Sequence, residues 1–141
     1  MLAQEMSREF YDIDEEIVKQ TGTEITEIFK TQGEKAFRDM ETETAKKLSK
    51  LSGVVISCGG GTVLRDENVN ALRRNGVICF IDRPLEQLVP TEDRPLALSR
   101  ADIEKRYNER IDRYTSTCDI RVSVEGEANS VAQKIRKEFL N

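Results

Sequence analysis

The chain has 141 residues, which suits one compact domain, and 38% hydrophobic against 34% charged residues give a real core under a charged surface. The net charge of −4 excludes a domain-wide basic field for nucleic acid, and no apolar run approaches the ~20 residues of a membrane span. Histidine is absent, which removes Ser-His-Asp and Cys-His catalysis and the commonest zinc ligand; acid–base work falls to carboxylates, Lys, Tyr or the substrate.

Residues 1–7 read as the end of a helix and lack the pattern of a signal peptide. A short strand is predicted over 10–13, then a helical turn or two over 15–20, ended by Gly22. Thr23 is placed to cap the next short helix, with Glu24 and Glu27 in its first turn. Gly33 starts a longer helix, roughly to Leu51. Its buried face is predicted from Phe37, Met40, Thr44, Leu48 and Leu51. Segments 54–58 and 77–81 are apolar throughout, as in strands covered on both faces, and a helix over 67–74, stopped by Gly76, makes them a compact parallel βαβ unit. Prolines at 84, 90 and 95 mark an exposed stretch through Ser99. A helix over about 101–115 buries Ile103, Tyr107, Ile111 and Tyr114, a strand covers 120–124, and a last helix runs over 128–140. The sum is α/β with a mainly parallel sheet. Cys58, Cys79 and Cys118 are odd in number and widely spaced, which fits reduced cysteines in a cytoplasmic protein.

The most informative segment is Gly59-Gly60-Gly61, at the carboxyl end of a buried strand and ahead of a helix. Three glycines there let backbone amides approach a bound group, at the edge of the sheet where α/β proteins bind ligands. A left-handed turn needs only one glycine. Asp12 and Asp14 share a face of an extended segment and suit Mg²⁺ through water, or a polyol and its proton. Asp14 reads equally as the cap of the following helix. Arg38 borders the apolar face of its helix, with Glu41 three residues on, as a fork for a carboxylate ligand or as a surface ion pair. Arg106, Arg110 and Arg113 form a basic stripe, of which at most one is expected to be a ligand. Arg94, held extended by Pro95, suits a lid closing over a phosphoryl group; Arg83 before Pro84 is similar but directly follows a strand.

In order, the chain reads Phe10-Tyr11-Asp12-Ile13-Asp14, Thr21-Gly22-Thr23, Gly33-Glu34-Lys35-Ala36-Phe37-Arg38, Ser57-Cys58-Gly59-Gly60-Gly61, Asp93-Arg94-Pro95-Leu96 and Arg110 followed by Tyr114. This order and spacing closely resemble the shikimate kinase family, over essentially the whole chain. The resemblance implies one domain over 1–141 with a lid at 90–99 and a three-layer P-loop kinase fold of the nucleoside-monophosphate-kinase type. The implied reaction moves the γ-phosphoryl of ATP to the 3-hydroxyl of shikimate, with Mg²⁺, in aromatic amino-acid synthesis. By position, Asp14 would bind shikimate hydroxyls and take the proton, and Arg38 and Arg110 would grip the carboxylate. Gly60 and Gly61 would offer amides to the same ligand, Asp12 would support the Mg²⁺ shell, and Arg94 would be the catalytic lid arginine on the phosphoryl group of ATP.

The sequence also departs from that pattern. No segment fits Gly-x-x-x-x-Gly-Lys-Ser/Thr, the loop that supplies a lysine to the β/γ-phosphates and a hydroxyl to Mg²⁺. The chain therefore reads as truncated at its N-terminus, without the family's first strand, which belongs between segments 54–58 and 77–81. Its loss would leave unpaired core backbone groups, each costing on the order of 1–3 kcal/mol. The expectation is an inactive polypeptide that is unstable alone, self-associates or is fused to another enzyme of aromatic synthesis. The alternatives are a non-catalytic shikimate-binding module and a related small-metabolite kinase such as gluconate kinase.

Overall fold

The computed structural model describes residues 1–83, 99–124 and 127–140. A short helix α1 (Leu2–Glu5) leads into strand β1 (Glu9–Asp12), and helix α2 (Ile13–Thr21) follows without a linker. The Asp12 side chain accepts from the Glu15 amide at 3.0 Å and starts α2; Gly22, at φ 66°, ends it. Ile13 and Ile17, one helical turn apart, bring α2 onto the core.

Helix α3 (Ile25–Leu48) is two helical segments meeting at Gly33, whose φ of 88° and ψ of 172° are outside the helical range. The sequence placed a helix start there, and the structure has a break at that residue. Thr23 does not cap α3: its hydroxyl turns back to the Thr21 carbonyl, and Glu24 holds the cap position with no side-chain bond. Phe37, Thr44, Ala45 and Leu48 form the buried face. Leu51 lies beyond the helix and is exposed, because α3 ends one turn earlier than its apolar period suggests.

Strand β2 (Val54–Ser57) pairs parallel with β1, Glu9 opposite Val54 and Asp12 opposite Ser57. A 3₁₀ turn (Thr62–Leu64) and helix α4 (Asp66–Arg74) follow the glycines; Asn75, not Gly76, is the residue that caps α4. Strand β3 (Cys79–Asp82) is followed by α5 (Arg100–Thr117), capped by the Ser99 hydroxyl on the Asp102 amide. Strand β4 (Ile120–Ser123) pairs parallel with β3, Cys79 opposite Ile120, and α6 (Ala128–Leu140) closes the chain.

Among the described residues the strands thus form two separate parallel ladders, β1–β2 and β3–β4. The βαβ unit expected from segments 54–58 and 77–81 is corrected accordingly: β2 and β3 do not pair, and the crossovers that join paired strands run through α2–α3 and through α5. The split falls where the resemblance puts a central strand. It also explains why these strands are not covered on both faces. β2 is half-buried along its length, and Ile81 is half-exposed. Each ladder has its own core. Ile13, Ile17, Ile28, Phe37, Ala45 and Leu48 pack beside β1–β2, and Val122, Val124, Val131 and Ile135 pack α6 against β4.

Candidate functional site

The carboxyl ends of β1, β2 and β3 deliver Asp14, the three glycines and Arg83 to one cavity of about 450 Å³, and α3 and α5 add Arg38 and Arg110 to its wall. Binding at strand carboxyl ends is the general rule for open α/β sheets.

Asp14 and Asp12 divide their work. Because Asp12 takes the cap, Asp14 is left in the first turn of α2 facing the cavity. Its buried Oδ1 has no hydrogen-bond partner among the described residues. Burial pushes its carboxyl up to about 6, with help from the charges of Asp12 and Glu41 and against the opposing pull of Arg38. A carboxyl poised near neutrality, with a free oxygen in a cleft, can accept a proton from a bound hydroxyl.

Arg38 is held by a buried carboxylate. Its Nη1 lies 3.1 Å from Glu41 Oε1, and Glu41 is 1% exposed. Glu41 Oε2 accepts from the Thr62 hydroxyl at 2.9 Å, and Asn68 donates to the Thr62 carbonyl at 2.9 Å. This chain ties α3 to the turn after the glycines and fixes the guanidinium at the cavity wall. The surface ion pair weighed from sequence is therefore a buried one.

Gly60 and Gly61 are needed for space, not for backbone freedom, whereas a methyl group on Gly59 would meet only ordinary contacts. None of the three has positive φ. A methyl group on Gly61 would overlap the Arg38 guanidinium. On Gly60 it would stand 2.8 Å from the Tyr114 hydroxyl and 3.3 Å from Arg110 Nη1. The Gly59 carbonyl accepts from the Thr62 amide at 3.2 Å, and the Gly60 carbonyl accepts from the Tyr114 hydroxyl at 2.7 Å. Among the described residues the amides of Gly60 and Gly61 have no backbone acceptor.

Arg110 makes no ion pair among the described residues. Of its two neighbours on the stripe, Arg113 turns away, donating to the Val63 carbonyl and to Asp66 at 2.6 Å, whereas Arg106 joins Arg110 on the cavity wall. Two arginines of the stripe thus line the cavity. Phe80 and Tyr107 also line it and were not singled out from sequence as site residues, and Arg83, weighed there beside Arg94, lines it too. Tyr107, two helical turns ahead of Tyr114, looked from its spacing like core. Cys58 is exposed on the same cavity, and desolvation, with the charges of Glu41, Asp12 and Asp14, raises the pKa of its thiol. That keeps it protonated and poorly nucleophilic. Asp82 is neutralised by Arg121 at 2.6 Å.

Asp12 is not part of the cavity wall, and no group of three potential metal ligands exists among the described residues. Asp12 Oδ1 is taken by the amide of Glu15 at the start of α2. Arg94 and most of the 90–99 segment lie outside the described residues. No helix among the described residues is long and apolar enough to cross a membrane.

A family model described as shikimate kinase matches residues 1–140. A shikimate kinase of Clostridium botulinum is 37% identical over 145 residues, covering 100% of this chain and 87% of the relative. One from Caldicellulosiruptor bescii is 39% identical over 132 residues, covering 89% and 76%. Among solved structures, shikimate kinase from Acinetobacter baumannii in complex with shikimate superposes with a TM-score of 0.92 at 28% identity, over 99% of this chain and 82% of that one. Shikimate kinase from Aquifex aeolicus gives 0.84 at 35% identity, over 99% and 85%.

Proposed function

This chain belongs to the shikimate kinase family, an ATP-dependent kinase family with a P-loop kinase fold, and from that premise we propose that its cavity binds shikimate for phosphorylation by ATP. The observation that supports this most is the convergence of Asp14, Arg38, Arg110 and the three glycines, from distant parts of the chain, around one cavity. A ring acid carries one carboxylate and several hydroxyls. Arg38 and Arg110 supply two forks for the carboxylate, with the Gly60 and Gly61 amides beside them. Asp14 binds a ring hydroxyl and takes its proton as that oxygen attacks the γ-phosphorus of ATP and ADP leaves. Burial of Asp14 places its titration close enough to neutrality to accept a proton and later return it.

Mg²⁺, when bound with ATP, screens the charge of the transferring phosphoryl group. Asp12 fits such an ion only through water, since one of its oxygens holds the start of α2. Arg94 is the lid residue of the same proposal, acting on the phosphoryl group of ATP.

Calorimetric titration with shikimate tests the reading. Saturable binding of one equivalent is expected, and loss of that heat in Arg110→Ala; a chain that takes up no shikimate overturns it. One observation favours a second reading, a module that binds shikimate without transferring phosphate: the 141 residues contain no Gly-x-x-x-x-Gly-Lys-Ser/Thr. For the 141-residue polypeptide alone, shikimate binding without turnover is the expected outcome. Phosphorylation of shikimate by a preparation of verified mass would exclude the second reading.

A further inference from the structure

The Tyr114 phenol is the one side-chain hydroxyl that joins α5 to the glycine corner among the described residues, and no step above uses it. Its Oη donates to the Gly60 carbonyl at 2.7 Å. Its ring is braced against Phe80, with centroids 5.2 Å apart. The neighbouring Arg113 fastens the same turn of α5 to the Val63 carbonyl and Asp66. The phenol is thus fixed by its own ring contact and by the helix that carries it.

In a trans peptide the carbonyl and the following amide point in opposite directions. The Gly59 carbonyl is turned toward the Thr62 amide, which aims the Gly60 N–H the other way. The Gly60 carbonyl is turned toward the Tyr114 hydroxyl, which aims the Gly61 N–H to the opposite side of that peptide plane. Two successive peptide planes are therefore set through their carbonyls. The first is held by the local turn, the second only by a side chain 54 residues away. The two amides so directed have no backbone acceptor among the described residues, and Arg110 and Arg38 lie against Gly60 and Gly61 respectively.

We propose that Tyr114 is a positioning residue for substrate: its hydroxyl sets the Gly60–Gly61 peptide so that the Gly61 amide joins Arg38 and Arg110 on the substrate carboxylate. This rests on the shikimate reading of the cavity. The device suits the chemistry, because a peptide flanked by glycines has no side chains to hold its orientation, and a flipped plane would present a carbonyl oxygen to an anion.

The test compares the chain with Tyr114→Phe, which keeps the ring on Phe80 and removes only the hydroxyl. Shikimate affinity is measured by calorimetry, and the Gly61 amide is followed by ¹⁵N–¹H spectra during the titration. The expected result is an about three- to tenfold weaker Kd, a loss of the shikimate-induced Gly61 shift, and a smaller change for a ring triol lacking the carboxylate. A general structural defect would weaken both ligands equally. Gly60→Ala, whose methyl would displace the phenol, is the second variant. It weakens shikimate binding with Tyr114 present, and Tyr114→Phe added to it causes no further loss. Unchanged shikimate affinity and an unchanged Gly61 shift in Tyr114→Phe overturn the assignment. Absence of shikimate binding to the unsubstituted chain overturns the cavity reading itself, and the proposal with it.

Discussion

Arg38 and Arg110 reach one cavity from the two halves of the molecule, and they are held in opposite ways. Arg38, on the β1–β2 side, is locked to a carboxylate that is itself buried and bonded to Thr62. Arg110, on the β3–β4 side, carries no ion pair among the described residues, and its place is set by the turn of α5 that Tyr114 and Arg113 fasten to the glycine corner. The difference separates rigidity from charge. The first half supplies a pre-positioned fork whose charge is partly answered by Glu41, and the second supplies an uncompensated cation for an incoming anion. Removal of the first arginine therefore disturbs the fold, and removal of the second disturbs only the ligand.

Arg38→Ala is the largest way to break this comparison. It leaves Glu41 buried without its partner, so a loss of about 3–5 kcal/mol in stability is expected by denaturant titration, with shikimate binding abolished. If Arg38→Ala and Arg110→Ala destabilise equally, the contrast is wrong. Arg110→Ala should keep its unfolding midpoint while shikimate binding weakens by about 2–3 kcal/mol, read by calorimetry. Asp14→Asn comes next. The folded carboxyl titrates at about 6 rather than 3.8, so the native state binds the proton more tightly than the unfolded chain does. Its contribution is full below about 4 and is lost as pH rises through about 6. Asp14→Asn should therefore gain stability relative to the parent between pH 5 and 8, by on the order of 1–2 kcal/mol once solvent screening is allowed for. Thermal melts at pH 4 and pH 8 check the sign, and a gain confined to acid would contradict it. The smallest effect is Lys105→Ala. Its pairing with Glu109 at 3.9 Å is exposed on α5, so removing it should change stability by less than about 0.5 kcal/mol and leave shikimate binding intact.

Much of this was legible in residue order. The apolar spacing of α3 and α5, the strands at β1, β2, β3 and β4, and the glycine corner were readable because helix and strand periods leave a local imprint. The convergence of Asp14, Arg38 and Arg110 was reached through the family resemblance and not from spacing, since no local pattern brings residues of three elements together. Phe80 and Tyr107 were missed at the cavity for the same reason. Their periodicity looks the same whether they face a core or a cavity. The capping alternative was weighed for Asp14, and the cap is Asp12, because both carboxylates suit the start of α2 and only the backbone path chose between them.

The sequence by itself determined the element types, the absence of histidine chemistry and the presence of three successive glycines after a strand, since these are properties of neighbouring residues. Only the tertiary structure decided what the glycines are for. None has a positive φ, and the atoms that crowd Gly60 and Gly61 belong to Arg38, Arg110 and Tyr114, brought there from helices distant in the chain. Close packing between remote segments is a property of three dimensions, and it made room for a guanidinium and a phenol where any side chain would have stood in the way.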